Sequence, residues 1–232
     1  GGSDMSEKIM KYTVDDEEVT LSPSIVRTVV CDNPEVTEQE VRQFMALCYY
    51  QRLNPFIREA YLVKYGSNPA TMVVGKDVFV KRAFRNPSFR GYEAGVTVID
   101  REGRIERRQG SMAGGSTERL IGGWCRVYID GFEVPMFDEV SFAEYAGKKR
   151  DGSLNKQWAR MPGTMIRKVA IVHALREAFP ESLQGLYDAS EMGVDDQVEA
   201  PEDEGAGVSM EDVDPGVRER YEQARRKYEE EF

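Results

Sequence analysis

The chain has 232 residues, 41% hydrophobic and 31% charged, enough to bury a sizeable core as one large domain or two small ones. Its three cysteines, Cys31, Cys48 and Cys125, lie far apart without Cys-x-x-Cys or Cys/His spacing, and no apolar run nears the ~20 residues of a membrane span, which excludes a disulfide scaffold, a zinc module and a helical membrane protein. The formal net charge of −10 is no argument against a polyanionic partner, because it is uneven: residues 1–41 carry −7, 42–180 carry +9 and 181–232 carry −12, and a ligand feels the field within a Debye length of ~8 to 10 Å.

The cysteines read as reduced thiols of a cytoplasmic protein. Gly1 to Asp4, ahead of Met5, read as a tag-cleavage remnant and are set aside from the fold. Ser22-Pro23 opens a short helix expected to end near Cys31, broken by Asp32-Asn33-Pro34. Thr37 with Glu40 three residues on is a capping box, and Val41, Phe44, Met45, Leu47 and Cys48 follow at helical spacing, up to Asn54-Pro55. Ala60 to Tyr65 and Ala70 to Val74 read as strands joined by the turn Gly66-Ser67-Asn68-Pro69. Lys76 to Phe84 reads as a helix.

Gly95 to Asp100 and Ile105 to Gln109 form an expected hairpin across Arg101-Glu102-Gly103. A second is expected from Trp124–Ile129 and Phe132–Phe137, across a type I′ turn at Asp130-Gly131. Gly114-Gly115 and Gly122-Gly123 read as flexible or tightly turned connections. Beyond Met192 the composition turns acidic with few large apolar residues, which predicts a disordered linker over 193–213. A charged helix follows from Pro215 to Tyr228, with a narrow stripe of Tyr221, Ala224 and Tyr228 suited to docking or to solvent.

The helix expected over 164–179 is apolar in nearly every sector, yet carries Arg167 and Lys168 in its first turns. Charge among apolar neighbours costs several kcal/mol per ion unless an anion accompanies it. That anion is either a carboxylate of the same chain or a phosphate from outside. Lys148, Lys149, Arg150, Lys156 and Arg160 precede the helix with one acid, Asp151, and with Trp158 among them. A second basic run, Lys76, Lys81, Arg82, Arg85 and Arg90, includes Phe84, Phe89 and Tyr92. Cations that track a backbone, with aromatics on which bases stack, are what sequence-tolerant single-strand binding requires. Trp158, Phe89 and Tyr92 are candidate stacking platforms or else core residues, and Arg176 with Glu177 reads as an internal pair.

Other classes are less well supported. A Walker A loop is absent, since Gly75-Lys76 is followed by Asp77 and lacks the earlier glycine. Asp130, Glu133, Asp138 and Glu139 are the carboxylates a metal-dependent nuclease could use. Asp130 suits the turn, and the others suit exposed strand positions. His173, the one histidine, falls inside the apolar helix and reads as a satisfied core residue. An acidic scaffold that binds recombination or replication partners through its terminal segments is the alternative function, and it leaves the basic centre without a role.

Asn54-Pro55-Phe56 with Glu59 and Tyr61, and Asn86-Pro87 with Phe89, Gly91, Glu93, Ala94 and Gly95, are joined by Trp158, Met161-Pro162, Met165 and Arg167-Lys168. Ala170, Ala174-Leu175-Arg176, Ala178-Phe179-Pro180, Gly185 and Tyr187 complete the pattern. In this order and spacing, over roughly residues 20 to 192, the chain resembles the RecT family of phage recombinases, single-strand annealing proteins that work beside a partner exonuclease.

The resemblance implies an α+β fold, a short antiparallel β-sheet with hairpins packed against helices. Such a fold is similar to the Rad52-like annealing core, here followed by a disordered acidic C-terminal segment. It implies a single-strand annealing, DNA-binding and oligomerisation domain over 5–192, with 193–232 outside the shared pattern. It further implies annealing of complementary strands in the bacterial host cytoplasm without ATP or other cofactor, magnesium being at most a counterion for DNA. The partners implied are single-stranded DNA and annealed duplex held in a basic groove, further copies of the chain in a ring or helical filament, and a phage exonuclease. The host single-strand binding protein is a further implied contact, and a membrane is not. Lys148, Lys149, Lys156, Arg160, Arg167 and Lys168 are the expected phosphate contacts, with Lys76, Lys81, Arg82 and Arg85 behind them.

Overall fold

A computed structural model describes residues 8–31 and 33–193. The expected tag remnant, the charged terminal helix and all of the acidic linker but Gly193 lie outside the described residues. Among those described, the chain divides into two compact units, with the boundary inside a strand at Val73 and Val74. Both are mixed α+β, with short antiparallel sheets packed against helices.

The first unit opens with a hairpin that the sequence reading did not include, β1 (Met10–Val14) and β2 (Glu17–Leu21). Tyr12, Val14, Val19 and Leu21 are buried in strict alternation. Asp15 and Asp16 turn the chain at φ 50° and 67°, a conformation aspartate tolerates. Helix α1 (Pro23–Ile25) is capped by Ser22 Oγ and continues as a π-turn, Val26–Val30. Helix α2 (Glu38–Gln51) has the expected capping box, Thr37 Oγ1 accepting from Glu40 N and Glu40 Oε2 from Thr37 N.

Glu40 also accepts from Ala70 N at 2.8 Å and from Lys64 Nζ at 3.0 Å, so one side chain caps a helix and anchors β3 (Ala60–Val63) and β4 (Thr71–Val74) beside it. The amide of Ala70, foremost among these donors, holds the Glu40 carboxyl down to about 2. After α2, Asn54 and Glu59 close a knot. Glu59 Oε2 accepts from Asn54 N at 2.7 Å, Asn54 Oδ1 from Phe56 N, and Asn54 O from Glu59 N.

The second unit is built on a four-stranded antiparallel sheet of order β6-β5-β7-β8, with β5 Phe89–Asp100, β6 Ile105–Gln109, β7 Glu118–Ile129 and β8 Met136–Ser141. Helix α3 (Lys76–Arg85) precedes it; α4 (Phe142–Tyr145), α5 (Lys156–Arg160), α6 (Pro162–Ala178) and α7 (Pro180–Leu183) follow. α6 lies across the sheet and buries Met165, Ile166, Val169, Ala170, Ile171, Val172, Ala174 and Leu175. Its nearly uniform apolar surface follows from this enclosure on several sides.

Two expectations are corrected here. Gly122 and Gly123 are not a connection but the middle of β7. A Cβ on Gly123 would stand 2.5 Å from the Ile166 carbonyl oxygen, so the bare backbone is what lets α6 approach the sheet. The β7–β8 hairpin has a wider loop than a two-residue turn allows, with Val127 paired to Met136. Pro135 has no N–H for the ladder and interrupts the expected Phe132–Phe137 strand. Phe132 and Val134 are accordingly exposed, and at the turn Gly131 alone takes a positive φ, 79°.

Cys31, Cys48 and Cys125 are buried and unbridged, and burial pushes the Cys48 and Cys125 thiols up to about 12. Among the described residues no helix is long and apolar enough to cross a membrane.

Candidate nucleic-acid interface

The stretch between α4 and α5 folds back on itself as a small loop. Asn155 N donates to Gly147 O at 2.8 Å, Lys148 and Leu154 form a β-bridge, and Lys149 N donates to Ser153 O at 2.7 Å. Gly152 takes φ 84° to close the tip. The loop's acid, Asp151, is exposed and accepts from Ser153 Oγ and N at 2.6 and 2.9 Å. Those bonds, the hydroxyl's first, hold its pKa below the usual aspartate value.

Lys148, Lys149 and Arg150 are left exposed around the loop, and neither Lys148 nor Arg150 forms an ion pair among the described residues. Asn155 Oδ1 then caps α5, and Lys156 and Arg160, four residues apart on that helix, are also exposed.

Trp158 explains why those two face outward. Its side chain is 0% exposed and meets Phe142 edge to face at 5.5 Å, so it pins α5 into the core. Of the two roles open to it, platform or core, the structure assigns the core. Gly147 is required beside it, because a Cβ there would lie 2.8 Å from the Trp158 ring and 2.4 Å from Asn155 Nδ2.

The charges at the start of α6 have different partners. Lys168 Nζ lies 3.2 Å from Oδ1 of Asp188, a carboxylate with no solvent exposure. Its companion anion therefore comes from the same chain. Arg167 is half-buried and donates from Nε to the backbone carbonyl of Ala94 at 3.3 Å, a neutral partner that leaves its charge uncompensated by any ion pair among the described residues.

Further along α6, the His173 ring lies between Asp138 Oδ2, 3.2 Å from Nδ1, and Glu191 Oε1, 3.2 Å from Nε2, with Tyr145 Oη 3.0 Å away. Hydrogen bonds to Asp138 first and Glu191 next raise His173 to about 9. Arg176 pairs with Glu191 rather than with its neighbour Glu177.

The cations of the second basic run, on α3 and the start of β5, are more fully engaged. Lys76 pairs with Asp77 at 3.1 Å, Arg82 donates to Ser182 O at 3.0 Å, and Arg90 pairs with Asp130 at 2.8 Å. Lys81 is half-buried and Arg85 exposed. Phe89 lies in an edge-to-face ladder between exposed Phe84 and buried Phe179, and Tyr92 is half-buried on β5.

The sheet carries an aromatic and guanidinium stack that the sequence reading did not find. Trp124 and Phe137 stack at 6.5 Å, Arg126 lies 5.7 and 5.6 Å from their centroids, and Arg107 lies 5.5 Å from Phe137. Glu139 grips Arg107 twice and Glu93 pairs with Arg126, so this stack is charge-balanced. Only the pairing register places these residues together.

Of the four nuclease carboxylates, Asp130, Asp138 and Glu139 are thus each committed to a cation. Among the described residues no three His, Cys, Asp or Glu side chains are grouped to hold a metal ion. The sequence model of the RecT family matches residues 19–204. No curated protein matches the chain.

Proposed function

The chain belongs to the RecT family of phage single-strand annealing proteins, and from that premise we propose that it binds single-stranded DNA and anneals complementary strands without ATP. The contact surface is the exposed loop Lys148, Lys149 and Arg150 together with Lys156 and Arg160 on α5. Arg167, Arg85 and Lys81 extend it. One observation carries the reading: five exposed cations fall within thirteen residues, against a single acid, Asp151, whose carboxylate is hydrogen-bonded to Ser153.

The mechanism needs no reacting side chain. Two complementary strands repel through their phosphates, and free strands pair internally. Lysine and arginine side chains neutralise the backbone and release its counterions, and a strand held extended cannot pair with itself. Base stacking, about 1.4 kcal/mol per step, then drives pairing, and specificity resides in the strands. Magnesium acts only as a counterion in this scheme. Further copies of the chain, in a ring or filament, extend the surface into a groove that holds strand and nascent duplex. A phage exonuclease supplies the single strand, and the host single-strand binding protein is a further partner.

The test is fluorescence-detected annealing of two complementary oligonucleotides added in sequence without ATP. Wild type is compared with Lys148→Ala/Lys149→Ala/Arg150→Ala, both checked for folding. Acceleration by the wild type and its absence in the folded variant support the reading. Equal acceleration by both moves the DNA-binding surface elsewhere, and strand degradation in magnesium would replace annealing with nuclease chemistry.

A further inference from the structure

In the first unit, four described residues other than glycine take positive φ: Asp15, Asp16, Arg52 and Arg58. The aspartates are ordinary turn residues. The arginines are not, because a left-handed conformation is strained for a side chain with a Cβ and unstrained for glycine. Arg52 (φ 52°) ends α2, a position glycine usually fills, and Arg58 (φ 58°) follows the turn Pro55–Ile57. The Asn54–Glu59 knot begins two residues after Arg52 and encloses Arg58.

Each guanidinium is laid on an aromatic face. Arg52 Cζ lies 5.0 Å from the Tyr49 centroid and 6.0 Å from that of Tyr12, and Arg58 Cζ lies 4.6 Å from that of Tyr61. Both arginines are exposed. Beside them Tyr49 meets Tyr50 edge to face at 5.2 Å, and Tyr50 is 79% exposed, with Ile57 also at the surface. Glu59, the acid nearest in sequence, is buried and turned onto the Asn54 amide, and Glu38 serves Arg42. The patch thus presents planar cations and an unburied aromatic ring.

We infer that this patch is a second binding surface for single-stranded DNA, with Arg52 taking a backbone phosphate and Tyr50 stacking on a base. The inference rests on the annealing function proposed above. The planar Arg52 guanidinium, exposed and held against a ring, turns an N–H edge to phosphate oxygens, and an exposed tyrosine offers a π-face to any base. Retaining arginine where glycine fits better has a reason if the side chain serves binding rather than folding.

That trade sets the experiment. Arg52→Gly and Tyr50→Ala are measured by anisotropy on a fluorescent oligothymidylate across a salt series, with thermal unfolding in parallel. Arg52→Gly is expected to melt no lower than wild type, while the slope of log affinity against log salt falls by about 0.7 for the phosphate no longer neutralised. Tyr50→Ala is expected to weaken binding between about 5- and 150-fold with the slope unchanged. Unchanged affinity and slope in both overturn the inference, and the Lys148→Ala/Lys149→Ala/Arg150→Ala variant then shows whether the annealing reading survives: if that variant binds more weakly, only the second surface is refuted. A wild type that fails to bind overturns both.

Discussion

Lys168 holds Asp188 across twenty residues of sequence, Nζ to Oδ1 3.2 Å, with the carboxylate wholly enclosed. Removing the lysine leaves a buried charge without its cation. Lys168→Met should lower unfolding stability by about 3 kcal/mol or more, and adding Asp188→Asn should restore part of it. Urea denaturation of the two variants checks this. Arg167→Ala, which gives up one bond to a neutral carbonyl, should cost only about 1 kcal/mol. It is therefore the cleaner probe of DNA binding on α6.

His173 gives the protein an alkaline stability slope. A group whose folded pKa exceeds its unfolded one contributes stability that is complete below the unfolded value and lost as pH climbs through the folded value. For His173 the loss runs from about pH 6.5 to 9. Its size should be about 1 to 2 kcal/mol, allowing for solvent screening. Arg176 shares Glu191 with it, and Tyr145, pushed up by burial, titrates above this window. In His173→Gln the fall between pH 6.5 and 9 should disappear, as read from urea midpoints at several pH values. The acid limb should persist in wild type, because hydrogen bonding to His173 holds Asp138 below its usual range.

Gly123→Ala should be among the most damaging single-methyl additions. The new Cβ would meet the Ile166 carbonyl at 2.5 Å, and both partners are backbone, so α6 must lift from the sheet. A destabilisation of about 1 to 3 kcal/mol is expected, or more if the helix cannot shift, and calorimetry measures it directly.

The basic loop separates binding from folding. Lys148→Ala/Lys149→Ala/Arg150→Ala removes exposed side chains and should move stability by no more than about 0.5 kcal/mol per site. If each cation meets one phosphate, the salt slope for single strands should fall by about 2. Trp158→Ala should instead cost about 3 to 5 kcal/mol, so any weakening of binding it causes reports unfolding.

These residues also mark how far the sequence is readable. The α2 cap is legible because Thr37 and Glu40 are three apart and satisfy each other locally, and the span of α6 follows from its own apolar spacing. Strand β7 is not legible at Gly122-Gly123, because a glycine means flexibility or close approach according to a partner, here Ile166, that lies more than forty residues away. The β1–β2 hairpin has clear alternation but turns on Asp15-Asp16 rather than on an Asn-Gly or Asp-Gly pair. At the candidate interface, the run of cations from Lys148 to Arg160 is plain in the sequence, whereas the partner of Lys168 follows only from how α6 meets the segment after α7, and the burial of Trp158 only from how α5 meets α4. Arg52 and Arg58 give no sequence signal, since what sets them apart is a backbone angle.

The three enclosed cysteines have a practical consequence. Thiols attack as thiolates, and with Cys48 and Cys125 pushed up to about 12 and Cys31 buried, alkylating dyes meet no competent nucleophile on the folded protein at neutral pH. A cysteine introduced at exposed Ala159 on α5 would then be the sole addressable handle, and a fluorophore there would report strand capture on otherwise native protein.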